Sequence, residues 1–405
     1  MCAFRALFLL RIVLRYLMCE RELLRKARQN AAMDTAEMNT FDDYAPYSRY
    51  YGMERDMVGP AAELLRWMRQ DVTCVAMLER ICSLTVADRN VPAAVAVHER
   101  LRAYVTTFYP MQPEGNDLAL AAVMMHCLPA AVSQLESLGV PNNVIEATLR
   151  DFAIWARVHQ ERTGRPGIDE TAWNLLSLTG NILRIGRLQY ELTTFLEPYY
   201  VYRCSNDGRI VIFAAPDLQV RLDGHWQGAN GWHTKTGFVT ALKADESTLV
   251  GNPVDTDRGI IQAEPITIRR DEYDLVLAPG MPVTSVHIPE DGPLSPDAVD
   301  ASFAKATQLL ARLHRQAMPW FCESWLLDPS LERLSSPESN LCNFMRRFVK
   351  FPVASARPMM IERVFGWGAN DCQTAALPER TSLQRNLKRF LLAGNAVYDV
   401  GGLML

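Results

Sequence analysis

Residues 181–192 read NILRIGRLQYEL, and the chain has a different character on either side of them. Within the stretch, Leu188, Tyr190 and Leu192 alternate with polar neighbours, Leu183 and Ile185 have the opposite parity, and Gly186 sits at the switch. Alternation with period two belongs to a half-buried strand, and a glycine at a change of parity predicts a bulge in it. Upstream, from about Pro60 to Leu178, apolar residues recur three and four apart, as in PAAELLRWMRQ, VPAAVAVHERLRAYVTTF and NDLALAAVMMHCLPAAVSQLESLG. That is the helical period. The last of these runs is stopped by Gly139, with Pro141 just beyond. Downstream come short strand-like runs, YYVYRC, GRIVIFAAP, LQVRLDG, GFVTALKA, STLVGNPV and MPVTSVHIP, separated by turn residues. After Pro296 the pattern predicts helix 297–316, strand 320–326, helix 331–347, strands 348–353 and 359–364, a helix from Ser382 and a short terminal strand. The expected fold class is therefore α+β: an all-α N-terminal bundle over 33–178, then a mixed, largely antiparallel α/β domain over 179–405.

Composition agrees with an ordinary globular chain. The 405 residues are 49% hydrophobic and 22% charged, which excludes disordered, collagen-like and coiled-coil classes. The 42 Lys+Arg against 46 Asp+Glu leave a formal charge of −4. With no basic surplus to neutralise phosphates, nucleic acid is not an expected partner. Nine scattered cysteines, with no zinc-type spacing, fit reduced thiols in a cytoplasmic protein without a metal. The first twenty residues, MCAFRALFLLRIVLRYLMCE, are apolar but interrupted by Arg5, Arg11 and Arg15. They make neither a clean membrane span nor a signal h-region. Met33-Asp34-Thr35 reads as a natural start, so residues 1–32 are expected to be a non-native or disordered extension.

Most catalytic signatures are absent: GxSxG, GxxxxGK, HExxH and GxGxxG do not occur. Three local features carry chemistry instead. The loop from Gly224-His225-Trp226 to Gly231-Trp232-His233 concentrates histidine and tryptophan, so Trp226, Trp232 and His233 are candidates to stack on a substrate, or else pack a hairpin loop. His287 ends the strand Val283–Ile288, immediately before a Pro/Gly loop, where an imidazole can act as a general base. Glu323 alternates with Phe321 and Trp325, and desolvation between aromatics would raise its pKa. The two strands would be neighbours around one cleft. Ser295-Pro296, Ser335-Ser336-Pro337-Glu338 and Thr381-Ser382-Leu383-Gln384 are helix-start signals, and their free N–H groups are also where an anion would sit.

From Asn181 onward the wording NILRIGRLQYEL, VHIPEDGPLSPDAVD, FCESWLLDPSL, SNLCNFMRRF and LPERTSLQRNLKRFLL resembles bacterial acyltransferase-like proteins. Those carry a helical N-acyltransferase N-terminal domain and a GNAT-like C-terminal domain. The resemblance implies an acyl-CoA-dependent N-acyltransferase with a small-molecule amine substrate, His287 or Glu323 as the base, and Trp325 beside the substrate. It implies that the pantetheine arm pairs with two splayed central strands and that the pyrophosphate sits over 289–298, making Ile288, Gly292, Leu294 and Ser295 cofactor-binding; the helix start at Thr381 and Ser382 is the alternative place for the donor's anion. The sequence departs from the family pattern in that loop, where Pro289-Glu290-Asp291-Gly292-Pro293-Leu294 stands in place of Q/R-x-x-G-x-G/A. The frequent tyrosine acid is missing from 331–347, leaving Ser336, Ser339 or Cys342. The alternative is a non-catalytic protein that binds a small molecule or sugar on a degenerate GNAT-like frame.

Overall fold

The computed structural model describes residues 45–109, 114–313, 318–356 and 358–405. The N-terminal extension therefore lies outside the described residues. The chain divides into two units, one running to Arg184 and one from Ile185.

The first unit is helical: α1 Ala45–Tyr51, α2 Arg55–Met68, α3 Val72–Cys82, α4 Val91–Phe108, α5 Glu114–Ser137, α6 Asn142–Leu149, α7 Asp151–Thr163 and α8 Thr171–Leu176. Its core runs along α5, where Leu118 to Met125 are all buried, and Tyr51 of α1 donates its hydroxyl to Met124 O at 2.9 Å. Asp71 caps α3 by accepting from Thr73 N and Cys74 N. Gly139, at φ 79°, ends α5 with its N–H on Glu136 O. By length and composition the segment Asp117–Ser137 would cross a membrane, but two thirds of it is buried inside this unit, as befits a core helix. There is no clear membrane span among the described residues.

The second unit carries sixteen strands in chain order: β1 Ile182–Ile185, β2 Leu188–Thr194, β3 Tyr199–Cys204, β4 Ile210–Ala214, β5 Gln219–Arg221, β6 Gly237–Val239, β7 Leu242–Ala244, β8 Thr248–Gly251, β9 Val254–Asp255, β10 Ile260–Ile261, β11 Ile266–Arg269, β12 Tyr273–Leu277, β13 Pro282–His287, β14 Trp320–Ser324, β15 Val349–Pro352 and β16 Val400–Met404, β1 being the strand in which the division falls. Its later helices are α9 Pro296–Arg312, α10 Leu331–Leu334, α11 Asn340–Met345, α12 Pro358–Phe365 and α13 Ser382–Leu392. The main sheet has the order β1-β2-β13-β14-β16-β15. Only β13 and β14 are parallel there among the strand pairs with a resolved register. β3 to β12 form smaller antiparallel sheets inserted between β2 and β13.

Four local expectations change. The parity switch at Gly186 is a hairpin turn, Gly186-Arg187, with glycine at φ 70°, and not a bulge. A two-residue turn reverses the chain and so resets which side chains face inward. Helix 331–347 is two short helices, because Pro337 bars the helical conformation before it and Ser339 starts α11 by accepting from Cys342 N. The capping box expected at Ser335 does not form, because no helix starts directly after it and Glu338 accepts from the Ser336 hydroxyl instead. Residues 359–364 belong to α12, where Ile361 and Phe365 lie one helical turn apart and both are buried. Strand 320–326 stops at Ser324, whose hydroxyl accepts from Leu326 N and turns Trp325–Leu327 into a 3-10 helix.

The Thr381 box does form. Thr381 Oγ1 accepts from Gln384 N and Gln384 Oε1 accepts from Thr381 N. Thr381→Ala is expected to cost about 0.5–2 kcal/mol of stability, read by denaturant unfolding.

α9 is docked by one buried hydroxyl. Ser302 Oγ accepts from Leu188 N at 3.2 Å, meets Tyr190 Oη at 2.9 Å and donates to Ile185 O. The opposite face of the sheet is aromatic: Phe321 stacks on Phe351 at 6.2 Å, and Phe195 and Tyr199 pack against Phe351.

Candidate active site

The parallel ladder between β13 and β14 has only two pairs, Thr284↔Trp320 and Ser285↔Phe321. β13 continues to His287 on its outer neighbour β2, and β14 continues to Ser324 on its outer neighbour β16. Beyond Ser285 and Phe321 the central strands thus part, and their inner backbone N–H and C=O groups face a gap. Polar backbone groups without a ladder demand partners from water or a ligand.

Ser285 and Phe321 are register partners and so share a sheet face; two residues further on, His287 and Glu323 keep that face. The structure brings these two residues to the diverging ends of neighbouring strands. His287 Nε2 is 2.9 Å from Glu191 Oε2 on β2. Glu323 reaches solvent, yet its carboxyl is pushed up to about 7, by burial first and then by the negative charge of Glu197 and Asp399. Trp325 does not flank it, because the strand has already ended. Burial also raises Glu197 and Asp399 above the ordinary carboxylate range, although Asp399 is helped toward ionisation by accepting from Ala356 N at 3.0 Å and by the Ser355 hydroxyl.

The tryptophan and histidine loop is built around Arg221, which is 1% exposed. Its guanidinium donates to both Asp223 oxygens, to Ala229 O and Trp232 O, and to Tyr398 Oη at 2.8 Å. These contacts use every donor that the group has. His225 stacks on Tyr398 at 3.9 Å, and burial pushes its imidazole down to about 4. The Trp226 indole N–H is committed to Tyr199 Oη at 2.9 Å. Gly224, at φ 86°, leaves no room for a side chain, since a Cβ would stand 2.7 Å from Ile260. Trp226 is thus fixed in the packing, whereas Trp232 is 40% exposed and His233 is exposed.

The loop after β13 is tied down by arginines. Arg187 donates to Gly292 O at 2.5 Å and Pro293 O at 3.0 Å, and Arg363 pairs with Glu290 at 2.6 Å. Glu290 therefore does not stand in this loop as an uncompensated charge. Ile288 follows β13 directly, and Leu294 and Ser295 lead into α9, whose Ser295 N-cap makes no side-chain cap bond. The first-turn N–H groups of α9 after Pro296 point back over this loop. Thr381 and Ser382 are exposed, with the Thr381 hydroxyl engaged in its cap. Of the residues considered as a replacement acid, Ser339 caps α11 and Cys342 is fully buried.

Glu191, Glu197, Asp399 and Arg187 were not singled out by sequence. Glu191 and Arg187 lie within the 181–192 stretch, but their partners are about a hundred residues away. Asp328, in the SWLLDP segment, is buried and accepts from Tyr398 N at 2.6 Å, which ties the turn after β14 to the approach of β16. Among the described residues, no group of three or more His, Cys, Asp or Glu is arranged to hold a metal ion. A cavity of about 480 Å³, lined by Arg203, Arg347, Val349 and Leu403 among others, lies toward the opposite end of β14 from Glu323 and includes neither candidate base.

The central parallel pair that parts at its C-terminal ends, with ionisable groups on one face, belongs to an α/β unit that follows a helical one along the chain. The chain belongs to the acyltransferase family built of these two domains: residues 42–180 match the N-acyltransferase N-terminal domain and residues 182–404 the GNAT-like C-terminal domain. No curated protein matches the chain. Among solved structures, it is similar to an acyltransferase mutant in complex with octanoyl-CoA, at 19% identity and a TM-score of 0.49, covering 85% of this chain and 87% of that one. It is similar also to an acyltransferase in complex with decanoyl-CoA and teicoplanin, at 19% identity and a TM-score of 0.48 over the same shares. A third, an acyltransferase in complex with decanoyl-CoA, is 18% identical with a TM-score of 0.48, covering 85% and 98%.

Proposed function

We propose that this chain transfers an acyl group from acyl-CoA to a primary amine of a small molecule, in the gap between β13 and β14. The observation that carries the reading is the two-pair ladder with His287 and Glu323 on one face beyond it. The thioester lies along the exposed strand edges, and the CoA phosphates lie over 289–298, where Arg363 pairs with Glu290 and Arg187 holds the loop carbonyls.

A primary amine with a pKa of about 10 arrives as an ammonium ion and has two protons to lose. The negative field of Glu197, Glu323 and Asp399 draws it in, and Glu323, half-ionised near pH 7, takes the first proton. The amine nitrogen then attacks the thioester carbon, and a second group, His287, takes the second proton from the tetrahedral adduct. Collapse breaks the C–S bond, and the departing CoA thiolate recovers a proton from the imidazolium. Holding thioester and amine in line supplies much of the acceleration. A reaction drawing on acyl-CoA also suits the cytoplasmic setting expected from the reduced cysteines.

The test is thermal unfolding with acetyl-, octanoyl- and decanoyl-CoA, followed by release of free CoA thiol with a panel of amino sugars and amino acids. A donor at 100 times its Kd is expected to add about 2.7 kcal/mol of stability. No stabilisation by any CoA ester at millimolar concentration would overturn the reading. Stabilisation by CoA esters without thiol release for any amine would instead favour a binding protein on the same frame.

A further inference from the structure

We propose that Glu191 is a positioning residue which sets the tautomer of His287, placing the imidazole proton on Nε2 and making Nδ1 the atom that accepts the proton from the amine. The inference rests on the acyl-transfer reading above for the proton's origin, but not for the tautomer itself.

Glu191 of β2 lies opposite Ser285 and Gln189 opposite His287, so Glu191 and His287 are diagonal neighbours on one sheet face. Glu191 Oε2 stands 2.9 Å from His287 Nε2. An ionised carboxylate can only accept, so the nitrogen that meets it must carry the hydrogen. In a neutral imidazole the other nitrogen then holds the lone pair. Both side chains are mostly covered, at 22% and 30% exposure, so water competes only partly for the bond.

A carboxylate at this position does two things during reaction. It holds the ring in one orientation, and its charge stabilises the imidazolium once Nδ1 has taken the proton. The proton balance is closed. The N–C bond forms as the carbonyl π pair moves to oxygen, Nδ1 accepts the N–H proton, the carbonyl re-forms as the C–S bond breaks, and the thiolate takes the proton from Nδ1. Glu191 keeps its charge throughout and is not itself protonated.

Three readouts test this. First, the imidazole ¹⁵N shifts of His287 in the full-length protein, assigned by comparison with H287A, are followed across a pH series to their high-pH plateau. The Nε2–H tautomer is expected in the wild type, and E191Q, whose amide N–H can donate to Nε2, is expected to shift the population toward Nδ1–H. Second, E191Q is expected to lower kcat about 10²–10³-fold with little change in KM, and E191D to recover part of the loss. Third, adding E191Q to H287A is expected to cost nothing further, because Glu191 acts through His287. A predominant Nδ1–H tautomer in the wild type overturns the assignment, as does an undiminished E191Q penalty in the H287A background. The spectrum is read without turnover. Absence of thiol release from the wild type therefore counts against acyl transfer, and a wrong tautomer counts against Glu191.

Discussion

Glu323→Gln is expected to lower kcat by about 10²–10⁴-fold, the usual contribution of a positioned proton acceptor. The reason lies in the site's charge. Glu323 is raised to about 7 by burial and by Glu197 and Asp399, so at neutral pH a large fraction is ionised while the carboxylate remains basic enough to take a proton from an ammonium ion. The wild-type rate should rise with pH through about 7 as this group ionises, and E323Q should lose that limb. Stability moves the other way. The folded carboxyl has a pKa above its ordinary value of 4.5, so between about 4.5 and 7 the folded state binds more protons than the unfolded state. Glu323's own contribution to stability therefore falls as pH rises through that window, and the difference in stability between wild type and E323Q should change with that sign, the contributions of Glu197 and Asp399 being present in both. An unchanged rate, or an acid limb that survives in E323Q, would remove Glu323 from the chemistry. Denaturant midpoints across the same pH range check the stability half independently.

The largest expected stability effect is at Phe351, fully buried under the same sheet face. Its ring meets Tyr199 at 4.8 Å, Phe195 edge-on at 6.1 Å and Phe321 at 6.2 Å. It also fills the space above Gly401, the register partner of both Phe351 and Glu323, where a Cβ would stand 2.3 Å from the ring. Phe351→Ala removes a large aromatic that no neighbour can replace, and should cost about 3–5 kcal/mol. For a unit of this size that corresponds to a fall in Tm of roughly 6–20 °C. Gly401→Ala should be strongly destabilising in the wild type and much less so in the F351A background, because the clash is with the ring that was removed. Additive losses in that double-mutant cycle would show that the packing over Gly401 is not the reason for the glycine.

The residues most informative about the site lie where local pattern meets long-range pairing. Alternation puts His287 on one face with Ser285 and Glu323 on one face with Phe321, because period two is a property of the pleat alone. It does not say that the two strands are parallel neighbours, that their ladder stops after two pairs, or that Glu197 and Asp399 come to the same place. The expectation that aromatics would flank Glu323 illustrates the limit. Phe321 shares its face, but Ser324 turns the chain one residue too early for Trp325 to do so. The tryptophan and histidine loop is legible as a cluster, and only the burial of Arg221 beneath it shows that Trp226 serves packing.

Sequence by itself determined the division near residue 180, the α+β class, the capping box at Thr381 and the resemblance to the two-domain acyltransferase family. All of these follow from periodicity, turn chemistry or contiguous wording, which act over a few residues. Tertiary structure decided the hairpin at Gly186-Arg187, the helix at 358–365, the gap between β13 and β14, and the meeting of Glu191 with His287. The physical reason is that each depends on what a segment packs or pairs against. For β2 and β13, the partner is supplied only after the inserted sheets between them have folded back and returned the chain to the same edge.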